Sequence, residues 1–267
     1  MAQSPGQLAL RNVAGLAALR PLAVSRRGIL RALLPLAART TSAEVPELRI
    51  AAASNLTAVA PLLAAAFLRT TGIRAVFSFA STSQLARQIE EGAPFDVFAA
   101  ADSTHVDELL KKNLIVPGTA QVYAAGVLSV WFPAGPATLR LEDLTGRKIR
   151  AIALARPELA PYGGAALDVL RNLGILERVR PRLVYAGSVA MAKQYGATGN
   201  ADAVFVPASL VLKERGAVIP LNPKLHRPLL QTLGLVNLKK RTQSASQFAE
   251  FLVHGQGHAI LLQNGYR

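Results

Sequence analysis

The stretch Phe77–Asp102, FSFASTSQLARQIEEGAPFDVFAAAD, constrains the fold more than any other part of the chain. It reads as a strand end, a hydroxyl-rich turn, an amphipathic helix, a Gly-Ala-Pro turn and a second strand. Leu85 and Ile89 are four apart, the spacing of one helix face. Ser81-Thr82-Ser83 sets three hydroxyls at the helix start. Ser81 with Gln84 fits a capping box, and Thr82 or Ser83 serves equally as the cap. A helix start has amide groups without partners and a partial positive charge, so hydroxyl donors added there make a place for an anion. Taken alone, such a cluster is an ordinary helix cap. Here the same junction recurs along the chain.

Glu47–Ala53 is a predicted strand ending in three alanines, followed by Ser54-Asn55 and a helix with apolar positions Val59, Leu62, Leu63, Ala66 and Phe67. Strands follow at Ile73–Phe79 and Asp96–Ala100, and a helix at His105–Lys112. Val122–Trp131 reads as one long strand. Ile149–Leu154 is a strand that leads into the loop PELAPYGG and a helix over Ala165–Asn172, which makes a third junction. Leu183–Tyr185, then Gly187-Ser188-Val189 and a helix over Ala190–Ala197, make a fourth. Ala203–Val206 with a helix from Pro207 to Glu214 is a fifth candidate. Strands at Val218–Leu221 and Leu230–Val236 and helices at Ser244–Val253 and Ala259–Gln263 close the chain. The alternation means an α/β protein with mostly parallel sheets, in which ligands sit beyond the carboxyl ends of strands. Several such ends carrying Ser, Asn, Thr or Tyr, with no obligatory Lys or Arg, suggest one anion held by neutral donors.

Charge matters chiefly at the N-terminus. The chain of 267 residues carries a net +14. Residues 1–43 hold Arg11, Arg20, Arg26, Arg27, Arg31 and Arg39 and no acid, so +8 remains on the rest. Ser25-Arg26-Arg27-Gly28-Ile29-Leu30-Arg31 has the form of a twin-arginine export motif, with a short apolar segment and small residues after it. An export leader over 1–43 is expected, outside the fold; a translation start near Val24 and an organelle transit peptide are competing expectations. The remaining positive charge favours approach of an anion. Lys111-Lys112 and Lys239-Lys240-Arg241 are short runs without interleaved aromatics, so they read as solvated faces and not as a nucleic-acid site. There is no cysteine, hence no disulfide framework and no thiolate metal site.

AAASN (51–55), the block at 77–102, PELAPYGGAA (157–166) and GNADAVFVPASL (199–210) together resemble the periplasmic molybdate-binding proteins of ABC importers, the ModA family, from about Leu48 to the C-terminus. That resemblance implies a type II periplasmic binding fold of two α/β lobes with the ligand in the cleft. Residues 44–124 with 225–267 would form lobe 1, and 125–224 lobe 2. It implies a monomeric extracytoplasmic receptor that binds molybdate or tungstate without a cofactor and presents it to a membrane permease. Carried over by position, the ligand-binding residues are Ser54, Asn55, Thr82, Tyr162 and the Val189 backbone. The family usually has serine at Thr82, and one branch has tyrosine where this chain has Val206; Asn55 and Tyr162 match the other branch. Independently of the resemblance, a fully deprotonated oxyanion needs donors only, and none of these positions is acidic.

Enzyme signatures are weak. No phosphate loop and no H-E-x-x-H motif occurs. His254 and His258 are four apart, but Gly255 and Gly257 between them disfavour a rigid helical pair of metal ligands, so no metal centre is expected. The alternatives are a receptor for another oxyanion such as sulfate, a hydrolase or transferase on a similar scaffold with Asp96 or Asp102 as acid/base, and an effector-sensing module.

Overall fold

The computed structural model describes residues 45–136, 138–238 and 243–267. The expected leader and the Lys239-Lys240-Arg241 run lie outside the described residues. In chain order the strands are β1 (Glu47–Ala53), β2 (Arg74–Ala80), β3 (Val97–Ala99), β4 (Gln121–Ala125), β5 (Leu128–Phe132), β6 (Ile152–Ala155), β7 (Leu183–Ala186), β8 (Ala203–Pro207), β9 (Ala217–Pro220) and β10 (Leu230–Leu235). The helices are α1 (Ala60–Thr71), α2 (Thr82–Glu90), α3 (Thr104–Lys111), α4 (Pro161–Asn172), α5 (Leu176–Val179), α6 (Val189–Ala197), α7 (Gln243–Val253) and α8 (Gln256–Gln263).

The strands form two five-stranded sheets, ordered β2-β1-β3-β10-β4 and β7-β6-β8-β5-β9. These orders are one pattern used twice. β1 is parallel to β2 and β3, and β6 to β7 and β8. β10 is antiparallel to both its neighbours, and so is β5. Four strands of each sheet therefore run one way and one runs against them. The reversed strand is the one that receives the chain from the other sheet: β5 follows β4, and β10 follows β9. Each sheet with its flanking helices is a lobe, and the chain crosses between lobes at 126–127 and 221–229.

Each lobe has its own core. In lobe 1, Phe67 of α1 meets Phe248 and Phe251 of α7 with ring centroids 5.1 and 5.3 Å apart, the edge and tilted geometries that aromatic quadrupoles favour. In lobe 2, Trp131, Phe132 and Phe205 pack with Ile152, Leu154, Val169 and Leu170. The two lobes also repeat a small device. The Asp96 carboxylate accepts the Arg49 amide at 2.7 Å beside the start of β1. The Asp202 carboxylate accepts the Arg150 amide at 2.7 Å beside the start of β6. Both lie at the opposite strand ends from the expected ligand.

Three expectations change. The long strand Val122–Trp131 is two strands, β4 and β5, in different sheets, because the chain changes lobe at Gly126. The apolar run continues through the break because buried residues lie on both sides of it, Tyr123 and Ala124 before and Leu128 to Phe132 after, so periodicity carries no sign of the crossing. The helix expected from Ala165 starts at Pro161, a residue suited to a first turn because its missing N–H has no helical partner there. A Cβ at Gly163 would lie 2.2 Å from the Ala155 carbonyl oxygen, so glycine lets this first turn sit directly on the end of β6. The helix expected over Pro207–Glu214 is only a 3-10 turn, Ala208–Leu210.

Candidate functional site

Sheet register brings the junctions together. β1 and β2 pair from Glu47↔Arg74 to Ala53↔Ala80, so their last residues are level. Ser54-Asn55 and Ser81-Thr82 therefore emerge side by side. In lobe 2, β6 and β7 end level at Ala155↔Ala186, which brings Tyr162 and Val189 to one edge. The two edges meet around a small cavity lined by Ala53, Ser54, Asn55, Ser81, Thr82, Ala101, Ala160, Pro161, Tyr162 and Val189. All five positions expected from the sequence line it, and all are buried, none more than 4% exposed. The alanines at the strand ends keep the wall thin enough for backbone to face the cavity. No lining residue is charged.

Counting hydrogen bonds shows which donors are left. Ser81 is committed to its cap, with its amide and its hydroxyl both on Gln84 Oε1 at 3.2 and 2.7 Å. Ser83 gives its amide to the Leu159 carbonyl of lobe 2 at 3.2 Å, a direct bond between the lobes. Thr82 Oγ1 accepts the Ala101 amide at 3.3 Å, which leaves its own proton to donate. At α4, Pro161 has no amide, and Gly163 and Gly164 both donate to the Ala160 carbonyl. Tyr162 thus holds the helix's first free amide. At α6, Ser188 Oγ accepts the Met191 amide at 3.2 Å, which leaves the Val189 amide at the helix start. Three helix starts therefore direct amides and partial positive charge at one place, with the Ser54 and Thr82 hydroxyls beside them.

The polar atoms behind this wall were not expected from sequence. Gln231 Nε2 donates to the Ala101 and Leu229 carbonyls at 3.2 and 3.1 Å, so its Oε1 must face Asn55. Asn55 Nδ2 donates to that Oε1 at 2.7 Å and to the Tyr266 hydroxyl at 3.1 Å. Both amide protons of Asn55 are thereby taken up behind the cavity, and Asn55 Oδ1 has no partner. The Tyr162 hydroxyl is also buried without a partner. It lies against Gly126, where a Cβ would be 2.1 Å from it and 2.8 Å from Gln231 Nε2. Neither Gly126 nor Gln231 lines the cavity, so Tyr162 turns its hydroxyl to the lobe crossing and its helix-start amide to the cavity. Burial pushes the Tyr162 and Tyr266 hydroxyls well above the usual phenol range, so both stay protonated. Val206 is buried in β8 and does not line the cavity. Gln231 and Tyr266 sit in segments whose local pattern signals only a strand and a chain end.

The alternative catalytic residues are committed elsewhere. Asp96 holds the Arg49 amide. Asp102 accepts the His105 amide at 3.2 Å, in the first turn of α3, and pairs with its ring at 2.9 Å. His258 Nδ1 faces the Tyr123 carbonyl at 3.1 Å. Among the described residues no cluster of three or more His, Cys, Asp or Glu could hold a metal ion, and no helix is long and apolar enough to cross a membrane.

Comparison with known proteins agrees with this geometry. The family described as "Bacterial extracellular solute-binding protein" matches residues 48–267. The molybdate-binding protein ModA of Rhodobacter capsulatus is 34% identical over 224 residues, which covers 82% of this chain and 88% of that protein. ModA of Azotobacter vinelandii is 33% identical over 231 residues, 84% of this chain and 91% of that protein. The solved structure of the Azotobacter vinelandii periplasmic molybdate-binding protein matches with a TM-score of 0.79 at 30% identity, covering 82% of this chain and 98% of that one. The sulfate-binding protein SubI of Mycobacterium tuberculosis shares the fold at 15% identity, with a TM-score of 0.69 over 83% and 86% of the two chains. The chain belongs to the bacterial extracellular solute-binding proteins, with the two-lobed fold of their ModA members, and is a solute-binding protein and not an enzyme.

Proposed function

We propose that this protein captures molybdate or tungstate outside the cytoplasm and delivers it, as a monomer, to the membrane permease of an ABC importer. The observation that carries this reading is the small cavity lined by buried residues of both lobes, with donors on each side and no carboxylate. A tetrahedral oxyanion without protons accepts hydrogen bonds and offers none, so neutral hydroxyls and helix-start amides suit it. The ligand would be held through Ser54, Asn55 and Thr82 from lobe 1 and through the Tyr162 and Val189 amides from lobe 2. Asn55 contributes through its backbone, because its side-chain protons are taken by Gln231 and Tyr266.

The division of donors gives the mechanism. An anion that meets only one lobe has half of its partners, and closure supplies the rest. Binding therefore favours the closed arrangement, in which Ser83 and Leu159 join the lobes. A permease that reads this arrangement would distinguish loaded from empty protein. The names of the relatives support molybdate as the ligand. Calorimetry on the purified protein, with molybdate, tungstate, sulfate and phosphate titrated separately, tests the reading. Tight molybdate and tungstate binding with weak sulfate is expected. Preference for sulfate or phosphate moves the function to another oxyanion, and binding of none of the four refutes it.

A further inference from the structure

Asn55 takes part both in the cavity and in a contact between the lobes. Ser209 lies on the 3-10 turn that follows β8 in lobe 2, and its hydroxyl is 3.3 Å from the Asn55 carbonyl and 3.4 Å from the Tyr266 hydroxyl. Tyr266 donates to the same Asn55 carbonyl at 2.9 Å and receives Asn55 Nδ2 at 3.1 Å. With Gln231 on the other amide proton, Asn55 is held at its carbonyl and at both side-chain protons. Ser209, Gln231 and Tyr266 are all buried, and none lines the cavity. Tyr266 is itself anchored beside the lobe crossing. The Arg267 amide donates to the Ala125 carbonyl at 2.9 Å, and Gly126 forms a bridge with Tyr266.

We propose that Ser209 and Tyr266 are positioning residues that couple lobe closure to the hold on the bound anion, acting through Asn55. The inference rests on the oxyanion reading above and adds two residues that do not touch the ligand. Their roles differ because their lobes differ. Tyr266 and Asn55 share lobe 1, so Tyr266 orients Asn55 whether the lobes are open or closed. Ser209 comes from lobe 2, so its bonds form only when the lobes meet. Closure thus adds a donor to the Asn55 carbonyl at the moment Asn55 faces the ligand from its other side. The Asn55 carbonyl shares its peptide group with the Leu56 amide, which does not line the cavity, so the gain for Asn55's own amide is one of aim: a residue fixed at its carbonyl and at both side-chain protons holds that amide in one direction. The network is fully buried, where each such bond counts most and a missing partner costs most.

The test compares wild type with Ser209→Ala and Tyr266→Phe. Molybdate affinity is measured by calorimetry, dissociation by stopped-flow displacement, and the unfolding midpoint without ligand by circular dichroism. Ser209→Ala is expected to speed dissociation about three- to tenfold, the worth of one neutral buried hydrogen bond. It should leave the association rate and the ligand-free midpoint unchanged, because its bonds are absent from the open protein. Tyr266→Phe is expected to raise Kd by about tenfold or more and to lower the ligand-free midpoint. A purely structural role for Ser209 would move the midpoint and not the rate. Dissociation from Ser209→Ala at the wild-type rate overturns the proposal, even if Tyr266→Phe fails to fold. Wild type alone reads the proposed function: if it binds no oxyanion, that reading falls and this inference falls with it. Normal binding by wild type and both variants overturns only the inference.

Discussion

Gly126→Ala is the substitution most directly set by the geometry. Gly126 lies between β4 and β5, where the chain changes lobe, and its amide donates to the Leu229 carbonyl of the second crossing at 2.8 Å. An added Cβ would stand 2.1 Å from the Tyr162 hydroxyl, 2.8 Å from Tyr162 Cζ and 2.8 Å from Gln231 Nε2. Carbon does not approach oxygen or nitrogen that closely, so something must move. Gln231 is held by Asn55, Ala101 and Leu229 and retreats only by breaking those bonds. Tyr162 has no bond on its hydroxyl but sits on the first turn of α4, so moving the ring shifts a lobe 2 donor. Overpacking of a buried site costs about 1–3 kcal/mol. If that cost falls on the closed arrangement, Kd for molybdate rises about 5- to 150-fold. Calorimetry measures the affinity, and small-angle scattering with and without molybdate measures the compaction. The double variant Gly126→Ala with Tyr162→Phe removes the nearest atom and should recover part of the loss; it cannot recover all, because the ring carbon stays at 2.8 Å. A single variant with Kd within a factor of about two and normal compaction, but a lowered unfolding midpoint, refutes the reasoning. It would mean that the contact persists when the lobes separate and belongs to folding, not closure.

Further outcomes follow from the same geometry. Ser54→Ala and Thr82→Ala should each weaken molybdate binding by about 1–3 kcal/mol, the worth of one hydrogen bond to a charged acceptor, as calorimetry would read directly. Ser129→Ala should stabilise the protein by about 1 kcal/mol or leave it unchanged, because the Ser129 hydroxyl is fully buried in β5 without a partner; a lowered melting temperature would contradict this. The hydrogen bond that the His105 ring donates to the Asp102 carboxylate raises the His105 pKa above its ordinary 6.5, against the effect of burial. A raised folded value means that the stabilisation is full below about pH 6.5 and is lost as pH rises through the folded pKa. The difference in melting temperature between wild type and His105→Gln should therefore shrink from mildly acidic to alkaline pH, and a difference independent of pH would show that the pair is not ionic.

Much of the site was legible because it is local. Ser81-Thr82-Ser83 before Leu85 and Ile89 announces a helix start, and the structure places Thr82 in the cavity with Ser81 taken by Gln84. Small residues at 51–53 announce a strand end where backbone is exposed to a ligand. Other features are not local. Tyr162 looked like a free hydroxyl on a loop, yet it sits on a helix turn with its hydroxyl against Gly126. Asn55 is among the expected ligand-binding residues, yet its side-chain protons go to Gln231 and Tyr266, 176 and 211 residues away in the chain. Sequence spacing cannot show a partner that distant.

By itself the sequence determined the alternation of strands and helices, the helix starts that carry donors, and the neutral character of the site. These follow from short-range patterns: the spacing of apolar residues, the placement of caps, and the absence of acids at the five donor positions. Only the tertiary structure decided which junctions face one another, because that depends on where strands end in register. It also decided where the chain changes lobe, since the run from Val122 to Trp131 is apolar on both sides of Gly126. Finally, it decided which donors remain free. A polar group is available to a ligand only after every other group within reach has taken its share, and in this protein the groups that take that share come from both lobes and from the end of the chain.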